Sequence, residues 1–243
     1  MVYDIILLER GMDMKPVIGI VAKHYYNDHK RLETFIRDEV EQAIFDNGGI
    51  AIGILPPNED KIKASSDWKE QLTTAEKHNL YEAISLCDGI ILQGGGYADE
   101  YECFIAKYCH DYDIPILGIC AGNQNMVRAL GGTISRIEGL KHDSDDAYVH
   151  PIKINIDSKI YRIIGKEETM VNSRHNNYAS NPGPLKITAY SDDGIPEVLE
   201  DNQKRFYVGV QFHPESLIKR DESMNKIFVS FIDVCSQYKN EKK

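Results

Sequence analysis

The sequence predicts an α/β fold, a doubly wound and mostly parallel sheet with antiparallel additions in its C-terminal half. Three observations support this. Short apolar runs of strand length alternate with stretches of helical period from residue 16 to residue 130, the pattern of parallel βαβ units covered by helices on both faces. Glycine follows or closes several of the apolar runs, as at Gly94, Gly95 and Gly96 and again at Gly118. Beyond residue 148 the strand-like runs are separated by turn residues instead of helices.

The elements follow in order. Residues 16 to 22, PVIGIVA, read as a buried strand. Leu32, Phe35, Ile36, Val40, Ala43 and Ile44 recur at helical spacing, so a helix is expected over 32 to 47, stopped by Gly48 and Gly49. Residues 50 to 55, IAIGIL, form the next strand, closed by Pro56 and Pro57. The polar stretch 58 to 74 has no clear period and is expected to be a surface excursion or a short irregular helix. A helix over 75 to 87, a strand over 89 to 92, a helix over 100 to 108, a strand over 114 to 119 and a helix over 123 to 130 complete the front half. In the back half, residues 149 to 156, 186 to 190 and 206 to 212 are strand-like, Asn181 to Pro184 break the chain, and an amphipathic helix over 226 to 238 closes it.

No linker of biased composition divides the two halves, so a single domain over 15 to 243 is expected, with 1 to 14 as an N-terminal extension. The first dozen residues read either as a loose extension or as an overlong gene start, with Met12 and Met14 as alternative starts. A hydrophobic fraction of 42% over 243 residues supports a substantial core. The net charge of −10 argues against nucleic-acid backbones and anionic membranes as partners. No apolar stretch reaches the roughly 18 residues that a membrane span needs. The five cysteines show no CxxC spacing, and their odd number argues against a disulfide scaffold. A reduced, cytoplasmic protein follows, with no metal or cofactor implied.

Three segments carry chemistry. In GICAGNQ, residues 118 to 124, a buried strand runs into Cys120 and a helix opens at Ala121 and Gly122. A side chain at such a turn projects above the sheet edge. The helix N-terminus favours an anion there, and a thiolate is the form of cysteine that attacks carbonyls. A buried core cysteine at a strand end is the alternative. In VGVQFHPE, residues 208 to 215, His213 and Glu215 follow a strand, and in extended geometry positions two apart point the same way. Glu215 would then orient His213; an ordinary surface turn is the alternative. In LQGGG, residues 92 to 96, Gly94, Gly95 and Gly96 follow a strand at the sheet edge where open α/β folds bind ligands. They let a substrate approach the backbone, although a turn without function has the same composition. Neither GxxxxGK[ST] nor a strand-borne GxGxxG occurs.

Gly118, Cys120, Gly122 and Gln124 match GxCxGxQ, and Gly209 with Gln211 through Glu215 match GxQFHPE. With these motifs the chain resembles the class I glutamine amidotransferases over roughly residues 15 to 237, which implies a flavodoxin-like doubly wound domain. Within that class it is most similar to the γ-glutamyl-γ-aminobutyrate hydrolase branch, peptidase family C26. The branch features are PVIGI at 16 to 20, the Asn47, Gly48 and Gly49 helix end, VNSRH at 171 to 175, and His150 at a strand start. The resemblance implies a Cys120–His213–Glu215 triad and an oxyanion hole of the Gly95 and Ala121 N–H groups. Gln124, Asn172, Ser173 and His175 are candidates to frame the glutamyl end, beside Gly94 and Gly96. His175 also reads as a structural histidine of the back-half strands. Ala121, Val127, Asn176, Asn177 and the Gly95 to Glu100 stretch depart from the branch pattern, and several of these lie where the leaving amine would be selected.

The function expected is hydrolysis of a γ-glutamyl amide through a cysteine thioester, releasing glutamate and an amine. The alternative is a glutaminase subunit that passes ammonia to a separate synthase. A non-enzymatic ligand-binding protein is a third reading, against which the intact triad weighs. A small γ-glutamyl compound is the expected partner, a homodimer is an allowed assembly, and a synthase partner belongs only to the alternative.

Overall fold

The structure, a computed structural model, describes residues 14–57, 71–95, 100–139 and 142–242. Its centre is a nine-stranded sheet. From the chain start come β1 (Val17–Val21), β2 (Lys23–Tyr26), β3 (Leu32–Phe35), α1 (Asp38–Asp46), β4 (Ile50–Ile54), α2 (Thr74–Ser85), β5 (Gly89–Leu92), α3 (Glu100–Asp111), β6 (Ile116–Ile119) and α4 (Ala121–Ala129). The back half adds β7 (Thr133–Arg136), β8 (His150–Ile154), α5 (Lys159–Ile164), β9 (Glu168–Val171), β10 (Asn177–Asn181), β11 (Lys186–Ser191), β12 (Pro196–Asp201), β13 (Tyr207–Val210) and α6 (Glu222–Glu241).

The strand order is β4-β1-β5-β6-β13-β12-β11-β8-β9. Pairing is parallel from β4 through β13 and antiparallel from β13 to β9. The doubly wound sheet with antiparallel C-terminal additions is therefore present. The strand that matters most for the site is β13, which comes from the back half yet lies directly beside β6, with Val210 opposite Ile119.

Successive residues of the central strands feed two cores, as a period of two requires. On one face Ile91, Leu117, Ile119, Val208 and Val210 pack with Val40 and Ile44 of α1 and Phe228 and Phe231 of α6. On the other, Ile90, Leu92, Ile116 and Tyr207 pack with Leu80 and Ile84 of α2, Tyr101 and Ile105 of α3 and Met126 of α4. Each large apolar side chain fully buried in this way contributes about 1.5–3 kcal/mol. Local signals fix the helix starts: a reciprocal capping box between Thr73 and Glu76 opens α2, and the Asp221 carboxylate accepts from the Ser223 N–H at α6.

The helix expected over 32 to 47 begins only at Asp38. Residues 32 to 35 instead pair with β2 in an antiparallel hairpin. The turn between them is held by Asn27, whose Oδ1 accepts from the N–H groups of His29 and Arg31 at 2.9 and 3.0 Å, with Lys30 in the left-handed region at φ 58°. The helix is delayed until Asp38, Glu39 and Glu41 complement its N-terminal dipole. The turn-rich reading of the back half missed β7, β9 and β10, which are short and partly exposed, and β12, which is buried but carries Pro196, Glu197, Glu200 and Asp201. The excursion expected over 58 to 74 falls mainly on residues outside those described, as does most of the N-terminal extension. Among the described residues no helix is long and apolar enough to cross a membrane.

Candidate active site

Cys120 sits between β6 and α4 with φ 51° and ψ −105°, a conformation that a non-glycine residue adopts at a cost of about 1–3 kcal/mol. The turn is held from both sides: the Cys120 N–H donates to Val210 O at 2.8 Å, and the Gln124 N–H donates to Cys120 O at 3.1 Å. Its tightness depends on Gly122, where a Cβ would lie 2.0 Å from Leu92 O. The thiol stands at the N-terminus of α4, whose first N–H groups, Ala121 included, have no partner within the helix.

His213 follows β13 by three residues, and its Nδ1 lies 2.7 Å from Glu215 Oε1. The two side chains do not meet through extended backbone, as the sequence suggested. Pro214 to Ser216 form a single 3-10 turn that brings the carboxylate back under the ring. Both residues are buried. Burial disfavours the imidazolium, but the Glu215 charge and the interaction with Cys120 outweigh it and raise His213 from 6.5 to about 10. Asn172 fixes the histidine backbone, since its Nδ2 donates to His213 O at 2.8 Å and its Oδ1 accepts from the His213 N–H at 2.7 Å.

Gly94 closes the site from β5. A Cβ there would lie 2.5 Å from His213 Cε1 and 3.3 Å from Cys120 Cβ, so the loop, the imidazole and the cysteine are in mutual contact. Gly95 has φ 89° and lines the same cavity, of about 260 Å³, together with Cys120, Ala121, Gln124 and His213. Gly96 lies outside the described residues, as do Tyr97 and Ala98.

The other predicted residues divide. Gln124 lines the cavity and donates through Nε2 toward Asn177 O and Gln211 Oε1, both at 3.2 Å. Asn172 and Ser173 are fully buried, with their polar atoms already engaged: Asn172 on His213, and the Ser173 hydroxyl donating to His142 O at 2.7 Å. His175 reaches the cavity wall, but its ring nitrogens face Asn177 O at 3.0 Å and Glu197 at 3.5 Å.

Three residues had no role assigned from the sequence. Arg37 lines the cavity, and its Nε donates to Gly94 O at 3.3 Å. Arg174 lines the same cavity and donates to Ser216 Oγ at 3.2 Å. Gln211 Nε2 donates to Cys120 Sγ at 3.6 Å. Gln211 stood inside the GxQFHPE match and was legible as a motif residue. Arg37 had no local signal, and Arg174 stood inside VNSRH without a role of its own, because they reach the site through the hairpin-to-α1 junction and the β9–β10 loop.

An α/β sheet carrying a cysteine on a tight strand-to-helix turn, next to a histidine–carboxylate pair on the neighbouring parallel strand, defines the class: an amidotransferase-like fold with a cysteine-centred site. The family model for peptidase C26 matches residues 96–215. The chain is 31% identical over 203 residues to the glutamine-hydrolyzing GMP synthase subunit of Methanocaldococcus jannaschii, covering 82% of this chain and 99% of that protein. Among solved structures, it aligns with the glutaminase domain of Trypanosoma brucei CTP synthase with TM-score 0.64 and 17% identity, over 91% of this chain and 94% of that one. A glutamine amidotransferase from Thermotoga maritima aligns with TM-score 0.57 and 16% identity, over 90% and 96%; these two likenesses are of fold. The chain belongs to the class I glutamine amidotransferase-like family, a family of enzymes.

Proposed function

We propose that the protein hydrolyses a γ-glutamyl amide bond through a thioester on Cys120, with residues 15–243 acting as one catalytic unit. The observation that carries this is the juxtaposition of the Cys120 turn with the His213–Glu215 pair, closed at 2.7 Å and buried. Cys120 Sγ attacks the side-chain carbonyl carbon of the γ-glutamyl group. The carbonyl oxygen takes the negative charge and is held by the N–H groups of Gly95 and Ala121, donors placed before the reaction begins. The C–N bond then breaks as the imidazolium of His213 gives its proton to the departing nitrogen, leaving the thioester. Water next gives a proton to His213 and attacks the thioester. The C–S bond breaks, glutamate leaves and the thiol is regained. Glu215 holds the ring and stabilises its charged form, and Gln211 orients the sulfur.

Arg37 and Arg174 suit the single α-carboxylate that a γ-glutamyl group carries. Asn172 acts behind the histidine as a positioning residue rather than on substrate. The leaving amine would meet the cavity wall at Asn176 and Asn177, where the sequence departs from its branch.

A second reading has a specific observation in its favour. The chain spans nearly the whole of the Methanocaldococcus jannaschii GMP synthase subunit, which supports equally the reading of a glutaminase subunit handing ammonia to a separate synthase. Glutamate release from glutamine and from a panel of γ-glutamyl amines, measured with the purified chain alone, tests the proposal. Inertness of every compound without a synthase replaces the first reading by the second.

A further inference from the structure

We propose that His142, His150, His175 and Glu197 form a closed, four-coordinate binding site for one zinc-type divalent cation, set behind the wall of the active-site cavity. It stands whether or not Cys120 is a nucleophile. The residues come from the loop before β8, the first position of β8, the β9–β10 loop and β12. One donor atom from each lies within 4.8 Å of the others. His150 Nε2 and His175 Nε2 are each 3.5 Å from Glu197 Oε1, and His142 Nδ1 is 3.7 Å from it. A tetrahedron with metal–nitrogen and metal–oxygen bonds of about 2.0–2.2 Å has edges of roughly 3.3–3.6 Å.

Hydrogen bonding to the far side of each ring sets its tautomer. His150 Nδ1 lies 3.2 Å from Pro151 O and His175 Nδ1 lies 3.0 Å from Asn177 O. A carbonyl only accepts, so both rings carry their proton on Nδ1 and turn an Nε2 lone pair inward. His142 Nε2 meets the Asp193 carboxylate at 2.8 Å, which likewise leaves the lone pair on Nδ1, where Ser173 Oγ, its own proton given to His142 O, stands 3.2 Å away and would yield to a cation. Three lone pairs therefore converge on one fully buried carboxylate, and among the described residues neither oxygen of Glu197 receives a hydrogen bond. Such a constellation is repulsive without a cation, because buried polar atoms are otherwise paired. The outer partners, a carboxylate and two backbone carbonyls, are those that orient metal-bound histidines. A dication with Glu197 and Asp193 ionised leaves the group neutral. Four protein donors suit a structural rather than a catalytic ion.

The position gives the ion a task. The segment 172 to 177 carries Asn172, which clamps the His213 backbone, and Asn177, whose carbonyl accepts from Gln124. The cation would tie this segment to β8, β12 and the His142 loop.

The test uses the full chain purified without a polyhistidine tag. Metal analysis after gel filtration should find about one zinc per chain, and Co²⁺ added to chelator-stripped protein should give the intense visible absorption of a tetrahedral site. Zinc added back should raise Tm. Glu197→Ala and His150→Ala should lose stoichiometric binding, while Cys120→Ala keeps it. Asp193→Asn, which touches no metal, should weaken zinc by about 10–100-fold. Stripped wild-type protein that stays folded, shows no cobalt spectrum and no zinc-dependent Tm overturns the proposal. So does Glu197→Ala binding zinc as tightly as wild type. If folding variants cannot be obtained, the wild-type titration alone decides.

Discussion

Val210 stands opposite Ile119 in the parallel ladder between β13 and β6, and the Cys120 N–H donates to Val210 O at 2.8 Å. One register thus sets the height of both Cys120 and His213. Cys120 leaves the sheet one residue after the pair and His213 three residues after it. A one-residue slip would turn every β13 side chain to the other face.

Cys120→Ala should abolish glutamate release from every γ-glutamyl substrate while leaving Tm close to wild type, since the thiol is a small part of the core. Turnover and thermal unfolding are measured on the same preparation. Undiminished turnover would end the thioester mechanism.

The histidine and its carboxylate should differ in severity. His213 moves a proton in both halves of the reaction, so His213→Ala should lose about 10²–10⁴-fold in kcat/KM. Glu215→Gln keeps the hydrogen bond and loses the charge, and should lose less. Because Glu215 is a main cause of the rise of His213 to about 10, the alkaline limb of the pH profile should move to lower pH in Glu215→Gln. Stability has the matching sign. A group raised in the folded state contributes fully below its unfolded value near 6.5, and that contribution fades as pH rises through about 10. Wild type should therefore lose stability across that window, and His213→Gln should show a flatter slope in denaturant titrations.

Gly94→Ala should cost activity out of proportion to its size. The added methyl would lie 2.5 Å from the His213 ring, so the imidazole must move away from Cys120. A displacement of this order costs roughly 10²-fold in rate. The expected signature is a lower kcat with the fold intact by circular dichroism; wild-type kcat would mean that the loop and ring are not in contact during turnover.

Arg37→Ala and Arg174→Ala should act mainly on KM if these side chains hold the substrate α-carboxylate. Losing one charged hydrogen bond, about 1.5–3 kcal/mol, corresponds to about 10- to 100-fold. Equal losses for a substrate whose α-carboxylate is amidated would contradict that role.

What was legible in the sequence was local. The β5, β6 and β13 runs, the cysteine turn and the His-x-Glu pair each announce themselves within eight residues, because strand burial and turn sterics act over that range. What was hidden needed the sheet order. His142, His150, His175 and Glu197 are spread over 56 positions with no ligand spacing, and the β9–β8, β8–β11 and β11–β12 pairings bring their elements together. The absence of CxxC therefore said nothing about a histidine-rich cluster. Arg37 falls in a helix interior on the sequence pattern because Leu32 and Phe35 fit its period, whereas the Asn27 turn folds those residues into a hairpin and leaves Arg37 at the α1 N-cap.

The last prediction concerns substrate class: free γ-glutamyl amines should be cleaved with higher kcat/KM than glutamine. The chain alone assembles the cysteine turn, the histidine–glutamate pair and a cavity that Arg37 and Arg174 line. Proton donation by His213 is the one demand the mechanism makes on the leaving nitrogen, and an alkylamine meets it as ammonia does. Asn176 and Asn177 line the wall but are exposed, so water pairs whatever an amine leaves unpaired, and neighbouring amines should overlap as substrates, at about 1–3 kcal/mol for each methylene gained or lost in an apolar contact. A strict requirement for one amine would instead mean polar groups left unpaired by every other ligand. The measurement compares γ-glutamyl-aminobutyrate, a γ-glutamyl diamine and glutamine, first alone and then with candidate synthases. A clear preference for glutamine, above all one that rises when a synthase is added, would place the protein with the ammonia-delivering glutaminases instead of the free-standing hydrolases.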